Sequence, residues 1–313
     1  MHWKLKAAVQ NAMGKLPPDL ANPIYYRLQK SFGGLRHPTP VSRLQAGIEV
    51  VRRIRQFGRP VESAVFLEVG TGHQVNLPLS LWLCGAGRII TVDLNRYLQE
   101  QLVVDDIAYL RSHEEEVRNL FAEIPQRGLF EERFEQLLSA ANSLDELLSL
   151  TDIQYWAPAD AGNLALAARS IDCHISFTVL EHIPTAVLKQ IFQEGHRLLR
   201  PDGLFVHCID FTDHFAHSDE KVSSVNFLQF SENEWSCLAG NRYMFHNRLR
   251  VDEFRGLLAE LNLEILALDT KVDEAAMQVL RNGFPLDERF RHKDCQTNAA
   301  AEAWLVASPG RAA

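Results

Sequence analysis

Cysteine is scarce in this chain, and its cysteines are scattered. There are five in 313 residues, at Cys84, Cys173, Cys208, Cys237 and Cys295, and no two of them form a Cys-x-x-Cys pair. An odd and scattered set argues against a disulfide framework and against a structural zinc site, because both need cysteines at ordered spacings. We therefore predict a protein of a reducing compartment and expect it in the cytoplasm.

Long apolar runs are also missing. No stretch approaches the about 18 consecutive apolar residues that a membrane-spanning helix needs. Lys4 and Lys6 stand near the N-terminus, but no apolar stretch long enough for a signal peptide follows them. The sequence therefore predicts neither a membrane segment nor a membrane partner.

Positive charge is not in excess. The 32 lysines and arginines are outnumbered by 40 aspartates and glutamates, which gives a formal net charge of -8. A generally acidic surface repels phosphate backbones, so we expect no nucleic-acid partner. Hydrophobic residues make up 46% of the chain and no internal repeat is present. This composition is typical of a globular protein with a core of useful size.

Short apolar runs alternate with helical patterns after residue 60. Because such alternation is typical of parallel, doubly wound sheets, the fold class we predict is α/β, with a Rossmann-like sheet of seven strands. Residues 1–60 are predicted as an N-terminal helical cap, and residues 61–313 as the sheet domain, with insertions at about 96–150 and 211–250. The predicted strands are 64–69, 88–92, 153–156, 171–178, 204–209, 263–268 and 303–306.

Ligands of parallel sheets bind where the strands end, which directs attention to the residues after each strand. Gly70 and Gly72 follow the first strand, and two glycines at this spacing allow a sharp turn close to a ligand. This pattern alone is weak, since an ordinary tight turn has the same residues. Asp93 ends the second strand, where a carboxylate can accept hydrogen bonds from both ribose hydroxyls of NAD or of S-adenosylmethionine.

A succession of further motifs separates these two cofactors. Asp160-Ala161-Gly162-Asn163-Leu164 is followed by Ile171-Asp172, by Val179-Leu180-Glu181-His182-Ile183 and by Arg197-Leu198-Leu199-Arg200-Pro201-Asp202-Gly203. In order and spacing this succession resembles the nucleotide-binding half of class I S-adenosylmethionine-dependent methyltransferases. The resemblance covers about residues 64–210, and residues 250–308 by architecture. A NAD site would need a glycine at position 75, where this chain has Val75.

The resemblance implies S-adenosylmethionine as the cofactor and a role for each matching residue. Glycine-loop residues would lie under the amino-acid end, acidic residues would hold the ribose and the adenine amino group, and the residues after the fourth strand would lie near the sulfonium. Carboxylates also complement the two positive charges of the cofactor. The implied cofactor-binding residues are Glu68, Gly70, Thr71, Gly72, Asp93, Asp160, Ala161, Thr178 and Glu181.

Two departures from the family pattern stand out. Gln74 occupies the position of the third glycine of the loop, so the methionine end of the cofactor is expected to sit differently or to bind more weakly. The segment between Asp93 and Asp160 is also much longer than the usual crossover. We expect this insertion to cover the acceptor.

The segment after the fifth strand, His207–Asp219, has three histidines and three aspartates within thirteen residues. His214 or His207 is a candidate general base for a hydroxyl, oriented by Asp210 or Asp213, because histidine titrates nearest to neutrality. A divalent metal held by Asp210, Asp213 and His217 is a second interpretation, and ordinary polar loop residues are a third. His214, His207 and Asp210 are our predicted catalytic residues, and no metal site is predicted.

Residues 226–250 contain many aromatic side chains, which suit either a sugar or aromatic acceptor or the core of a small subdomain. Arg242, Arg248 and Arg250 are candidates for binding a phosphate or carboxylate on the acceptor. The function we predict is methyl transfer from S-adenosylmethionine to an oxygen atom of a small molecule or glycan. N-methylation of a small amine and a non-catalytic scaffold with this fold are the alternatives.

Overall fold

The computed structural model describes residues 2–32 and 39–310, and its central element is one sheet. The sheet has seven strands in the order β3-β2-β1-β4-β5-β7-β6. Neighbouring strands are parallel from β3 through to β5, whereas β7 is antiparallel to both β5 and β6. The strands are β1 Val65–Val69, β2 Arg88–Val92, β3 Ile153–Trp156, β4 Ile171–Phe177, β5 Leu199–Asp210, β6 Leu263–Val272 and β7 Ala300–Pro309.

Helices cover both faces of this sheet, so the predicted α/β class and doubly wound sheet are confirmed. The helices are α1 Trp3–Gly14, α2 Pro18–Phe32, α3 Val41–Gln56, α4 Asn76–Leu83, α5 Glu100–Ser112, α6 Glu114–Leu120, α7 Arg127–Ala140, α8 Leu144–Thr151, α9 Thr185–Leu198, α10 Glu232–Ala239, α11 Val251–Glu260, α12 Glu274–Arg281, α13 Glu288–Arg291 and α14 Cys295–Asn298. Short 3-10 turns lie at Leu180–His182 and Asn226–Gln229.

All seven predicted strands are present, and β5 begins five residues before its predicted start. Pro201-Asp202-Gly203 precede the strand predicted over 204–209, but in the structure this segment lies within β5. The pairing with β4 moves from Ile171 opposite Leu199 to Cys173 opposite Leu204, so the extra residues form a bulge. A bulge lets a strand contain turn-forming residues without ending, which explains the longer strand.

Alternating side chains of the inner strands enter two separate apolar layers, as the two-residue period of a strand requires. Phe66 and Ile89 pack with α3 and α4 on one face. Leu67 and Ile90 pack with α9 and α11 on the other. Glu68 has the same parity as Phe66 and stands opposite Thr91 in the β1–β2 register. The strand period therefore places this carboxylate inside the protein, at the end of β1.

The three N-terminal helices pack against two different parts of the protein. The helix α3 packs against α4 and β5 as part of the sheet layer. The helices α1 and α2 instead contact the 211–250 insertion. The Trp3 ring packs at a tilt against Phe215, with centroids 5.3 Å apart, and Tyr25 stacks on Tyr243 at 4.1 Å. The division at residue 60 stays a prediction, and part of it, residues 1 and 33–38, lies outside the described residues.

The long insertion between β2 and β3 forms α5 to α8. These helices pack on α4 and β3 and share the apolar layer of that face through side chains such as Ile107 and Phe134. They therefore extend the core at one edge of the sheet. No helix in residues 2–32 and 39–310 is both long and apolar enough to cross a membrane.

Candidate active site

A cavity of about 730 Å³ opens at the carboxyl ends of β1, β2, β3 and β4. This position is where parallel sheets bind ligands, and the volume lies within the usual range for small-molecule sites. All the predicted cofactor-binding residues line this cavity except Glu181. Tyr97 of the 96–150 insertion lines the cavity, whereas its helices α5 to α8 contribute no lining residue. That this insertion covers the acceptor stays a prediction.

The loop after β1 depends on its two glycines. Gly70 has a φ of +88° and Gly72 a φ of +70°, both in the left-handed region that favours glycine. A Cβ on Gly70 would lie 2.5 Å from a methyl group of Val179, whereas a Cβ on Gly72 would meet nothing within 4 Å. Gly70 thus allows the loop to approach the segment after β4, and Gly72 leaves space open above the loop.

We expect alanine to have unequal effects at these two glycines. In Gly70→Ala, backbone strain adds to a clash with the stiff Val179 side chain, and the free energy of unfolding should fall by about 2–4 kcal/mol. Gly72→Ala, its matched control, should lose only about 1 kcal/mol, from backbone strain. Thermal melting of the two variants measures the difference. Equal melting temperatures would contradict the packing argument.

Gln74 does not need to be glycine in this loop. Its φ is not positive, and its side-chain amide donates to the Asp106 carboxylate of α5 at 2.6 Å. Asn76 donates to the same carboxylate at 2.9 Å. Gln74 therefore joins the glycine loop to the insertion that follows β2. A glycine at position 74 would have no side chain to make this hydrogen bond to Asp106.

Two carboxylates lie at the glycine loop. Glu68 accepts from the Thr91 hydroxyl, which also contacts Thr71, and burial raises the pKa of Glu68 to about 8. Asp93 accepts from the N–H of Gly72 at 3.0 Å. Burial raises the pKa of Asp93, and the N–H groups around it partly offset this effect. Both acids line the cavity, and a cationic ligand would favour their ionised forms.

Of the four remaining predicted residues, Asp160, Ala161 and Thr178 lie on other parts of the wall and Glu181 does not. Asp160 and Ala161 follow β3, and the Asp160 carboxylate accepts from the N–H of Gly162 at 2.8 Å. Thr178 follows β4 with a φ of +52°, which is unusual for a residue with a Cβ. Glu181 lies behind the wall, with a side chain that is 1% exposed. Burial and the nearby charge of Asp210 raise its pKa well above the usual value.

Several residues distant in sequence complete the cavity, and our sequence analysis did not assign them to it. Arg43 of α3 donates to the Thr178 hydroxyl and to the Phe177 carbonyl, at 3.4 and 3.2 Å. Asn22 of α2 and Arg242 of the second insertion also line the wall. No local pattern identifies them, because they reach the cavity only through the packing of α1 to α3.

His214 and Asp210 come together beside the cavity. The Nε2 atom of His214 lies 3.3 Å from a carboxylate oxygen of Asp210. Burial opposes ionisation of Asp210, but contacts with His214 and Thr212 hold its pKa below the usual value. The His214 ring packs edge-on against His182, with centroids 4.8 Å apart, and His182 lines the cavity. His182 therefore stands between the cavity and the predicted catalytic pair.

The structure does not bring His207 or Asp213 to this cluster. His207 is fully buried within the sheet, next to His174 and Ser176, and does not line the cavity. Burial and the neighbouring His174 hold its pKa well below the usual value. Asp213 is fully buried and accepts from Asn226 and from the N–H of Phe215. Both side chains have structural surroundings here, so we do not retain His207 as a base.

The aromatic segment 226–250 forms a core of its own. Phe227 and Trp235 are buried in an apolar cluster with Trp3 and Phe215, which favours the subdomain interpretation over direct contact with an acceptor. Arg248 and Arg250 are fully buried and donate to main-chain carbonyls. Of the three arginines proposed to bind an anion, only Arg242 lines the cavity.

The cavity fits S-adenosylmethionine on three structural grounds. It is large enough for a nucleoside cofactor, two acids at the glycine loop complement the positive charges, and the space above Gly72 is open. Glu68 and Asp93 offer the acceptors that an ammonium group and a ribose diol require. The residues present can therefore hold this cofactor.

Comparison with known proteins gives a family match in the middle of the chain. Residues 131–207 match the family model described as a methyltransferase domain. No curated protein matches the chain significantly.

Similar solved structures include proteins from three organisms. The PH0226 protein from Pyrococcus horikoshii OT3 is 14% identical, with a TM-score of 0.48, and the match covers 91% of this chain and 98% of that one. Magnesium protoporphyrin IX methyltransferase from Synechocystis PCC 6803, with bound SAH, is 13% identical, with a TM-score of 0.44 and coverage of 85% and 83%. A SAM-dependent methyltransferase from Methanosarcina mazei is 14% identical, with a TM-score of 0.42 and coverage of 80% and 93%.

The family match and the fold agree. The matched residues 131–207 run from α7 into β5 and include Asp160, Thr178 and His182 of the cavity wall. The sheet order, with β7 antiparallel between β5 and β6, has the Rossmann-like architecture that the motif succession implied. Over residues 131–207 this chain is therefore similar to the methyltransferase domain family, and its cavity has the residues to hold S-adenosylmethionine.

Proposed function

We propose that this methyltransferase transfers the methyl group to a hydroxyl oxygen of a small molecule or glycan. One observation carries the proposal: the cavity continues from the glycine loop to His182, with His214 and Asp210 directly behind it. A hydroxyl must lose its proton when it is methylated. A cluster of histidine and carboxylate can assist this loss, either by taking the proton or by holding a cation that acidifies the hydroxyl.

The cofactor residues have separate roles in this proposal. Asp93 holds the ribose hydroxyls, and Glu68 with Gly70, Thr71 and Gly72 surrounds the amino-acid end. Asp160 and Ala161 bind the adenine, and Thr178 lies beside the reacting methyl group. When bound, the cofactor supplies an electrophilic methyl group. The protein contributes mainly by holding the acceptor oxygen in line with it, which makes the reaction effectively unimolecular.

The acceptor enters beside the N-terminal helices. The Asn22 side chain of α2 and the Tyr97 side chain line the wall, together with the guanidinium of Arg242. Arg242 also donates to the carbonyls of Gly14 and Leu16, which joins α1 to the second insertion. Amide and phenol groups suit the hydroxyls of a polyol, and the guanidinium suits an anionic substituent. We propose that α1, α2 and residues 211–250 form the cap over the acceptor.

An acceptor screen with product mass as the readout tests this function. Polyols, sugars, phenols and matched amines are each incubated with the protein and S-adenosylmethionine. We expect a mass increase of one methyl group on a hydroxyl compound. His214→Ala should lower kcat by about 100-fold or more. Its affinity for S-adenosylhomocysteine should stay unchanged, because His214 does not line the cofactor cavity. Methylation of amines alone would overturn the proposal in favour of N-methylation.

The cytoplasm is the location we propose. All five cysteines are free thiols, and Cys84, Cys173 and Cys208 are buried. Free thiols persist in reducing compartments. The proposal is tested by fractionation of cells that express the chain.

A further inference from the structure

Five ionisable side chains converge behind the wall of the cavity. Glu181 and His182 belong to the 3-10 turn after β4, and Asp210, His214 and His217 follow or end β5. Potential ligand atoms of Glu181, His182 and His214 all lie within 4.8 Å of one another, as do those of Asp210, His214 and His217. The two groups share His214. The sheet creates this cluster, since β4 and β5 are adjacent and parallel and end at the same edge.

The orientation of His182 makes its free nitrogen a suitable ligand. The Nδ1 atom of His182 is 2.8 Å from the carbonyl oxygen of Phe245, and it must donate because a carbonyl only accepts. The Nε2 atom of the neutral ring therefore carries a lone pair. It lies 4.0 Å from a carboxylate oxygen of Glu181. Histidine ligands of metals are usually held in this way, with the second ring nitrogen bound to a carbonyl or carboxylate.

Glu181 supplies the independent observation. Its side chain is 1% exposed, and neither carboxylate oxygen has a hydrogen-bond partner within residues 2–32 and 39–310. A buried carboxylate without a partner is costly, and proteins keep such groups when they are paired or bind a cation. One of its oxygens lies within 4.8 Å of ring nitrogens of His182 and His214. The carboxylate of Asp210 adds a second acid to the same place, 3.3 Å from His214.

We propose that Glu181, His182 and His214 bind a divalent cation such as Zn²⁺ or Mn²⁺, with Asp210 as a further ligand. Two imidazoles and a carboxylate are the donor set that such ions take, and three protein ligands leave a position open. Ligands about 2.1 Å from an ion lie about 3–3.5 Å apart, so closure needs side-chain movements of only about 1 Å. The open position would face the cavity, because His182 lines it.

This inference rests on the proposed function and deepens it. A cation at the open position would bind the acceptor hydroxyl and lower its pKa. The hydroxyl proton would leave to water, the new oxygen–methyl bond would form as the sulfur–methyl bond breaks, and S-adenosylhomocysteine would leave. The substrate class would then be hydroxyl compounds with a second oxygen in chelating position, such as vicinal diols. His182 and His214 would act as ligands of the ion.

Metal binding is measured directly, without turnover. The full-length protein is dialysed against EDTA and titrated with Co²⁺, whose absorption spectrum reports nitrogen and oxygen ligands, and with Zn²⁺ by calorimetry. We expect one ion per chain. His182→Ala and His214→Gln should each weaken metal binding by at least about 10–100-fold. Loss of a residue that only hydrogen-bonds a metal ligand already has an effect of this size. His196→Ala is the matched control, an exposed histidine on α9 outside the cluster.

The possible results test the metal site and the O-methylation function separately. Stoichiometric binding that both cluster variants lose and the His196→Ala control keeps would support the site. No binding, or binding that the cluster variants retain, would overturn it. If hydroxyl methylation continues at full rate in EDTA, the function stands and the metal proposal fails. If an ion binds but only amines are methylated, the metal site stands and the O-methylation proposal fails.

Discussion

Replacing Asp93 with alanine is expected to weaken the affinity for S-adenosylhomocysteine by about 100-fold or more. The Asp93 carboxylate lines the cavity and accepts from the N–H groups of Gly72 and Asn95, which leaves further lone pairs for a ligand. A hydrogen bond to a charged group contributes about 1.5–3 kcal/mol, and a ribose diol makes two of them. Even the lower value, summed over both, corresponds to about two powers of ten in Kd.

Calorimetric titration of the purified protein measures this affinity. Asp93→Asn should lie between the wild type and the alanine variant, because an amide accepts hydrogen bonds without the charge. Asp202→Ala is the matched control, since it removes the same charge from a side chain that is 67% exposed at the far end of the sheet. Its affinity should equal that of the wild type. An Asp93→Ala protein that binds with unchanged affinity would refute the ribose assignment.

Replacing Arg250 with alanine is expected to cause a large loss of stability. The Arg250 guanidinium is fully buried and donates to the carbonyls of Phe211, Asn298 and Ala300 at 2.6–2.8 Å, and to that of Thr297 at 3.3 Å. Burial lowers its pKa to about 10, so the group stays charged at neutral pH. Loss of one partner from a buried charged network costs about 3–5 kcal/mol. The melting temperature should fall by about 10 °C.

Thermal and urea unfolding of the variants measure this loss. Arg250→Lys should also be destabilised, because a single ammonium group cannot replace the three guanidinium nitrogens that donate to these four carbonyls. Arg255→Ala is the matched control, an exposed arginine on α11, the helix that begins directly after Arg250, and it should melt with the wild type. An Arg250→Ala protein that melts within about 2 °C of the wild type would show that these carbonyls are not dependent on the arginine.

Arg250 also shows that a residue type alone does not predict what the side chain binds. From the sequence it was a candidate for an anion on the acceptor, and in the structure it joins the second insertion to the residues before β7. His207 is a similar case. It begins a segment rich in histidine and aspartate, but its buried side chain contacts His174 and Ser176 of the neighbouring strand β4. A local sequence segment shows which chemical groups are available, but the strand parity and the neighbouring helices decide what each group contacts.

The features determined by the sequence alone are those that depend on local patterns. Short apolar runs identified all seven strands, and the residues directly after them, such as Gly70, Asp93 and Thr178, line one cavity. Parallel strands end at the same edge of a sheet, so the residues directly after them lie close together for any conformation of the loops. Gln74 was recognised as a departure, although its bond to Asp106 was not.

Only the tertiary structure decided which distant residues complete the site. Arg43 reaches the cavity because α3 packs against α4, and Asn22 and Arg242 because α2 and the second insertion pack together over the sheet edge. The cluster of Glu181, His182 and His214 exists because β4 and β5 are neighbours in the sheet. These contacts join residues far apart in the chain, and their free energy comes from burial and hydrogen bonding in three dimensions, which no local sequence pattern contains.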